Sequence, residues 1–202
     1  MSILNSLLLK TSSVKKICIS FVASHLVLLL MMIFTLPVIN DQIGTKTFDL
    51  QTLGYSVSVA ESIVNNLNDE TTALYLFPQL TLLDVLYPLL LALFLSSLLF
   101  RLSKITKTTS KVTSILLVVP FLAMIFDYAE NICVILMITQ SVGISEKLVL
   151  LSSSFTVLKG VLTTIAWIVI LVYAIIWFRT KILGKNNKQA VAHYSKSSGN
   201  KF

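Results

Sequence analysis

Four apolar runs, each long enough to cross a lipid bilayer, constrain the fold of this chain more than any other feature. A transmembrane helix needs about 20 mostly apolar residues. The runs lie at 17–39, 80–102, 112–139 and 154–178, and none carries more than two charged side chains. Only 12% of the 202 residues are charged, about half the share in soluble proteins. We therefore predict an all-α protein with one domain, a four-helix transmembrane bundle.

Lysine and arginine lie almost entirely on one side of the predicted membrane. Segments 1–16, 101–111 and 179–202 hold 3, 4 and 6 of them, only three lie elsewhere, and none of the nine acids falls in these segments. This positive-inside bias predicts a protein of the cell membrane (the inner or plasma membrane) with both termini in the cytoplasm. The 40–79 loop then lies on the outer side of that membrane. The bias also explains the net charge of +7. We therefore expect the lipid bilayer, and no nucleic acid, as a partner.

The 40–79 loop is predicted to contain an amphipathic helix. Apolar residues such as Ile63 and Leu67 recur there at helical spacing with polar residues between them. Ser56 and Ser58 are both candidate N-caps. We expect this helix to lie across the mouth of the bundle.

Prolines and terminal segments complete the predicted organisation. Pro78 and Pro120 are expected to kink the second and third spans. Segment 1–16 is predicted to be either a short interfacial helix with snorkelling lysines or a disordered tail. Segment 179–202 is basic and polar, and is predicted to be disordered.

Carboxylates occur inside the third run, where a charge is costly and normally faces a partner inside the bundle. Asp127 and Glu130 lie three apart on one helix face. With the predicted orientation, other polar side chains of the second and fourth runs reach the same depth. We predict that six polar residues meet in the outer half of the bundle: Asp84, Asp127, Glu130, Asn131, Thr156 and Lys159.

Three carboxylates against Lys159 leave this cluster with excess negative charge, which is costly to bury. Either at least one carboxyl carries a proton, or water or a cation enters. One hypothesis is a hydrogen-bonded cluster that only fixes the register of the helices. The other is a site for binding or proton relay. His and thiolate ligands are scarce near the cluster, so we expect no metal and no cofactor.

The arrangement of these residues resembles a known family. Tyr55 and Glu61 are followed by Asp-x-x-Tyr-Pro at 84–88, Phe-Asp-x-x-Glu-Asn at 126–131 and Ser-Phe-Thr-x-x-Lys at 154–159. Together they are similar to an uncharacterised family of small four-span bacterial integral membrane proteins with no assigned activity. The resemblance implies that the ionisable positions belong together. It departs at 71–73, where Thr-Thr-Ala stands in place of a basic residue.

Three functions remain open from the sequence. The leading hypothesis is a non-enzymatic integral membrane protein whose cluster binds a lipid head group, a cation or a partner helix. The second is a membrane-embedded lipid- or quinone-modifying enzyme, with Asp127 or Glu130 as acid or base and Lys159 holding an anionic group. The third is an accessory or assembly subunit that recognises a protein partner through the outer loop.

Overall fold

The protein folds into helices, with no strand in the part of the chain that its structure describes. The structure is a computed structural model and describes residues 2–108 and 110–198. The predicted all-α fold is confirmed, because four helices are long and apolar enough to cross a membrane. These are span 1 (Val14–Ile43), span 2 (Asp69–Ile105), span 3 (Lys111–Ile138) and span 4 (Glu146–Ile182).

Three of the spans consist of more than one helical segment. In chain order the α-helices are α1 (Ser2–Thr11), α2 (Val14–Leu30), α3 (Leu36–Ile43), α4 (Val57–Asn66), α5 (Asp69–Leu74), α6 (Asp84–Ile105), α7 (Lys111–Leu116), α8 (Val119–Ile138) and α9 (Glu146–Ser198). π-helical segments join α2 to α3 at Met31–Thr35 and α5 to α6 at Tyr75–Leu83. A 3₁₀ turn, Phe48–Leu50, lies in the loop between spans 1 and 2.

Prolines account for two of these breaks. Phe77, before Pro78, has non-helical φ and ψ of −143° and 126°, which is the extended conformation that a following proline favours. Pro120 lies in the first turn of α8, where its missing N–H costs no helical hydrogen bond. Both breaks lie where the sequence predicts kinks.

The spans pack in an uneven arrangement. Spans 3 and 4 pack together most extensively, span 2 contacts both, and span 1 packs chiefly on span 2. We call the end that carries segment 44–68 the loop end, and the end that carries α1 and the 101–111 connection the basic end. One apolar core, around Leu95, Leu99 and Ala166, lies towards the basic end, and a second core fills the loop end.

The predicted amphipathic helix is confirmed as α4. Ser56 caps it by accepting a hydrogen bond from the Val59 N–H at 3.4 Å. Ile63 and Val64 are buried in the core of the loop end, whereas Glu61 is exposed. The loop therefore covers one end of the bundle with the apolar face of α4.

Residues 54–55 fasten the loop to span 4. The Tyr55 N–H donates to Ser153 Oγ at 2.9 Å, and the Tyr55 hydroxyl donates to Ser152 Oγ at 2.6 Å. Burial raises the pKa of the Tyr55 phenol well above its ordinary value, so this hydroxyl remains a donor. Gly54 has a φ of +88° and passes so close to span 4 that a Cβ would lie 2.5 Å from Ser153 Oγ.

Both terminal segments form helices in the structure. The N-terminal segment forms α1, whose Leu8 is fully buried against the core near the basic end. The last helix continues to Ser198, through most of the segment predicted to be disordered; residues 199–202 lie outside the described part. Segment 179–198 contains no proline and several good helix formers, so the backbone hydrogen bonds of span 4 continue past its apolar portion.

Replacing Gly54 by alanine should destabilise the protein more than replacing Gly44. Both glycines have positive φ, but a Cβ on Gly44 meets nothing within 4 Å, so Gly44→Ala should cost about 1–2 kcal/mol from backbone strain alone. Gly54→Ala should add roughly 1–3 kcal/mol from overpacking, because Ser153 Oγ cannot move without losing its bond to Tyr55. Thermal unfolding in detergent measures both. Equal losses would contradict a close contact between the loop and span 4.

Candidate functional site

Lys159 joins span 4 to span 3 by pairing with two carboxylates. Its Nζ contacts Asp127 Oδ1 and lies 2.6 Å from Glu130 Oε2. The two acids lie three apart in α8 and project from one face. Their side chains are only 12% and 2% exposed, so this ion trio lies in a region of low dielectric constant, where charge pairing is strong.

Thr156 holds the second oxygen of Glu130. The Thr156 hydroxyl donates to Glu130 Oε1 at 2.6 Å. Because Thr156 precedes Lys159 by three residues, both side chains reach span 3 from the same face of span 4. The carboxylate of Glu130 therefore has a positive or hydrogen-bonding partner at each oxygen.

Asn131 contacts the backbone of Asp84 and not its carboxyl group. In a regular helix the Asp84 carbonyl would accept from residue 88, but Pro88 has no N–H. Asn131 Nδ2 donates to this carbonyl at 3.4 Å, and the Tyr128 hydroxyl donates to the next carbonyl, Val85, at 2.7 Å. The proline of the Asp-x-x-Tyr-Pro pattern thus leaves the Asp84 carbonyl without a helical donor, and Asn131 of span 3 donates to it instead.

The Asp84 carboxyl is buried and faces a residue that the sequence analysis did not select. Asp49, which comes from the loop, lines the same cavity as Asp84. Tyr75 positions Asp49, because its hydroxyl donates to Asp49 Oδ2 at 2.7 Å and accepts from the Phe48 N–H at 3.0 Å. The sequence signal for Asp49 is weak: it is one of five loop acids, distinguished only by its apolar neighbours.

A cavity of about 300 Å³ opens beside these acids. All four spans and the 3₁₀ turn contribute to its wall. Three carboxyl groups, those of Asp49, Asp84 and Asp127, line it together with Lys159, whereas Glu130 lies outside the lining. The rest of the wall is mainly apolar and includes Leu28, Met31, Leu36, Leu91, Leu95 and Met124.

The acids exceed the bases in this cavity. Lys159 is the one cation in the lining and already pairs with two carboxylates. Asp84 Oδ2 and Asp127 Oδ2 are buried without a hydrogen-bond partner. An unsatisfied buried oxygen of a carboxyl group is costly, so the site favours an occupant that donates hydrogen bonds and carries positive charge.

The acids do not form a metal centre of ordinary composition. Within the described residues, no group of three or more His, Cys, Asp or Glu side chains has a geometry that could hold a metal ion. A divalent cation such as Ca²⁺ requires six or more oxygen ligands. The donor geometry therefore fits a hydrogen-bonding cation better than a divalent metal ion.

The six predicted site residues thus divide into three groups. Lys159, Asp127, Glu130 and Thr156 form one connected cluster, and Asn131 braces span 2. The carboxyl group of Asp84 lines the cavity together with Asp127 and Lys159.

The comparisons with known proteins add no functional assignment. No known protein family, curated protein or solved structure matches this chain. Any function must therefore be argued from the site itself.

Replacing Lys159 by methionine should destabilise the protein by about 3–5 kcal/mol, because it leaves two buried carboxylates without their counter-ion. Chemical unfolding in detergent measures the loss. Lys147→Met, at an exposed position of the same span, is the control and should change stability little.

A triple variant separates charge from packing. Adding Asp127→Asn and Glu130→Gln to Lys159→Met removes the stranded charges and should restore part of the stability. If Lys159→Met costs no more than Lys147→Met, the ion trio does not hold spans 3 and 4 together.

Proposed function

We propose that this integral membrane protein binds, inside its helical bundle, a ligand with a positively charged amine head group and an apolar body. The observation that carries this proposal is the cavity in which three carboxyl groups meet a single, already paired lysine. The four apolar spans support a lipid bilayer environment. The proposal narrows the hypothesis of a lipid head group or cation as the ligand.

The charge balance supports a cationic head group. An ammonium group is compact and has up to three hydrogen-bond donors, and the cavity offers two buried carboxylate oxygens without partners, on Asp84 and Asp127. One ammonium between them would satisfy both oxygens and reduce the negative charge. An anionic group would face the same carboxyl groups at close range and be repelled.

The wall of the cavity supports an organic cation with an apolar body. Ligand sites typically measure about 300–1,000 Å³ and combine apolar walls with a few polar groups, and this cavity fits that description. Leu91 and Met124 contribute to the apolar wall. The ring of Tyr87 also lines the cavity and is the kind of aromatic face that attracts a cation.

The enzyme hypothesis receives less support from the geometry. It assigns Lys159 to an anionic substrate group, yet the Lys159 ammonium is already shared between two carboxylates. Of the two proposed acid–base residues, Asp127 lines the cavity and Glu130 does not. Catalysis in this cavity would have to depend on Asp127.

The accessory-subunit hypothesis also receives less support. The apolar face of α4 is buried against its own bundle, and the side that remains exposed is polar, including Glu61 and Asn65. A partner of the loop would have to be recognised through polar contacts.

Two further proposals, on membrane topology and on family membership, rest on the sequence. The distribution of lysine and arginine supports cytoplasmic termini in an inner or plasma membrane. The loop end, with the cavity beneath it, would then face away from the cytoplasm. The polar pattern at 84–88, 126–131 and 154–159 supports membership of the small four-span bacterial family.

The double variant Asp49→Asn/Asp84→Asn should weaken the binding of octylammonium at least about thirtyfold, because losing a buried charge partner typically costs 2 kcal/mol or more. Native mass spectrometry of the protein in lipid nanodiscs measures the bound amine. Octanol and octanoate are the matched neutral and anionic probes and should bind weakly. Phosphatidylethanolamine, tested alongside, distinguishes a lipid head group from a free amine.

Two further variants complete this test. Asp41→Asn/Glu61→Gln removes two exposed acids from the same end and should leave the affinity unchanged. Ala123→Leu fills the cavity, since Ala123 is buried in its wall, and should weaken binding with every acid intact. Equal binding of octanol and octylammonium, or equal effects of the two acid-removing variants, would disprove the proposal.

A further inference from the structure

A second depression lies at the opposite end of the molecule and has the opposite charge. This groove, of about 460 Å³, opens between α1, the end of α6 and the start of α7. We call it the basic groove and define it by its polar side chains, Asn5, Ser103, Lys104, Ser110, Lys111, Thr113 and Ser114. It shares no residue with the cavity at the loop end.

The lysines of the basic groove have no acidic residue near them in the chain. None of the nine acids lies between residues 1 and 40 or between residues 85 and 126, and these two stretches contain every residue of the groove. Lys104 and Lys111 are both exposed. Arg101 and Lys107 add further positive charge on the same connection. Among the described residues, neither groove lysine forms an ion pair with an acid, so this end offers positive charge to an anionic ligand.

The groove combines positive charge with an apolar floor. Phe100 and Leu117 are buried in its wall, and Leu9 of α1 flanks it. Lys104 Nζ lies over the Phe100 ring, 5.4 Å from its centroid, a cation–π contact that holds the lysine at the rim. A ligand that fits must present an anionic group to the lysines and an apolar portion to the floor.

The position of the groove matches the head-group layer of a bilayer. Span 2 ends at Ile105 and span 3 begins at Lys111, so the groove lies at the ends of two apolar helices. Basic pockets at this level between transmembrane helices commonly bind anionic lipid head groups.

We propose that the basic groove binds the phosphate of an anionic phospholipid. Lys104 and Lys111 pair with the phosphate, and the hydroxyl groups of Ser110 and Ser114 lie beside them as further donors. The glycerol and first acyl carbons pack on Leu9, Phe100 and Leu117. This proposal is independent of the amine site, because it uses different residues at the other end of the bundle.

Native mass spectrometry of the detergent-purified protein, titrated with phosphatidylglycerol, tests this assignment. Lys104→Gln/Lys111→Gln should reduce the affinity for this lipid roughly thirtyfold, the factor expected for two lysines near the membrane surface. Lys104→Arg/Lys111→Arg keeps both charges and should retain most of the affinity. Phosphatidylcholine, whose head group has no net charge, should bind weakly to all three proteins.

The control variant is Lys15→Gln/Lys16→Gln, which removes the same charge from the same end but outside the groove. It should lower the affinity less than threefold. An equal loss of lipid affinity in the two glutamine variants would overturn the proposal. It would show that the lipid is attracted by the overall positive charge of this end and not by the groove. Inorganic phosphate that displaces the lipid at similar concentration would also overturn it, because the site would then recognise free phosphate. Melting temperatures show whether the Gln variants remain folded. If they do not, the Arg variant tests the proposal instead, and a loss of its affinity for phosphatidylglycerol would overturn it.

Discussion

The pairing of Lys159 with two carboxylates is the interaction on which the loop end of this bundle depends. Inside a bilayer no solvent is at hand to satisfy a charge, so each ionised group must find its partner within the protein. The ion trio therefore sets the relative rotation and height of spans 3 and 4. With span 3 so placed, Asn131 meets the carbonyl that Pro88 leaves free on span 2. One electrostatic constraint thus aligns three of the four spans.

Most of the fold could be predicted from the sequence, because hydropathy and helical periodicity mark the spans and α4 directly. The Lys159 contacts could be anticipated because a membrane leaves so few partners for a charge. The role of Asp49 could not be anticipated, because an acid in a loop is normally solvent-exposed. Its position at the site depends on a tertiary contact, the hydrogen bond that the Tyr75 hydroxyl donates to it. The last helix extends to Ser198, beyond the span that hydropathy marks, because hydropathy reports where a helix leaves the membrane and not where its backbone hydrogen bonds end.

Charged side chains are distributed unevenly between the two ends of the bundle. Acids cluster towards the loop end, and lysines and arginines cluster at the basic end, so the acidic cavity and the basic groove present opposite charges to their surroundings. The acidic cavity is lined by every span and covered by the loop, which suits a ligand that is largely removed from water. The basic groove is open and lies at the ends of the helices, which suits a head group that stays at the surface of the bilayer. The same charge asymmetry that supports the proposed topology therefore also separates the two proposed ligands.

Span 1 forms an apolar side of the cavity. Span 1 contributes apolar side chains such as Leu28 and Met31 to this wall, and it is joined to span 2 by a buried hydrogen bond in which the Thr35 hydroxyl donates to Gln79 Oε1. On the proposed function, the carboxyl groups of spans 2 and 3 and of the loop bind the charged head group, and the apolar body of the ligand packs against span 1. An ammonium bound in the cavity would donate hydrogen bonds to the two carboxyl oxygens that lack a partner, Asp84 Oδ2 and Asp127 Oδ2. On this proposal, the bound amine offsets the excess negative charge of the cavity, which Lys159 alone does not balance.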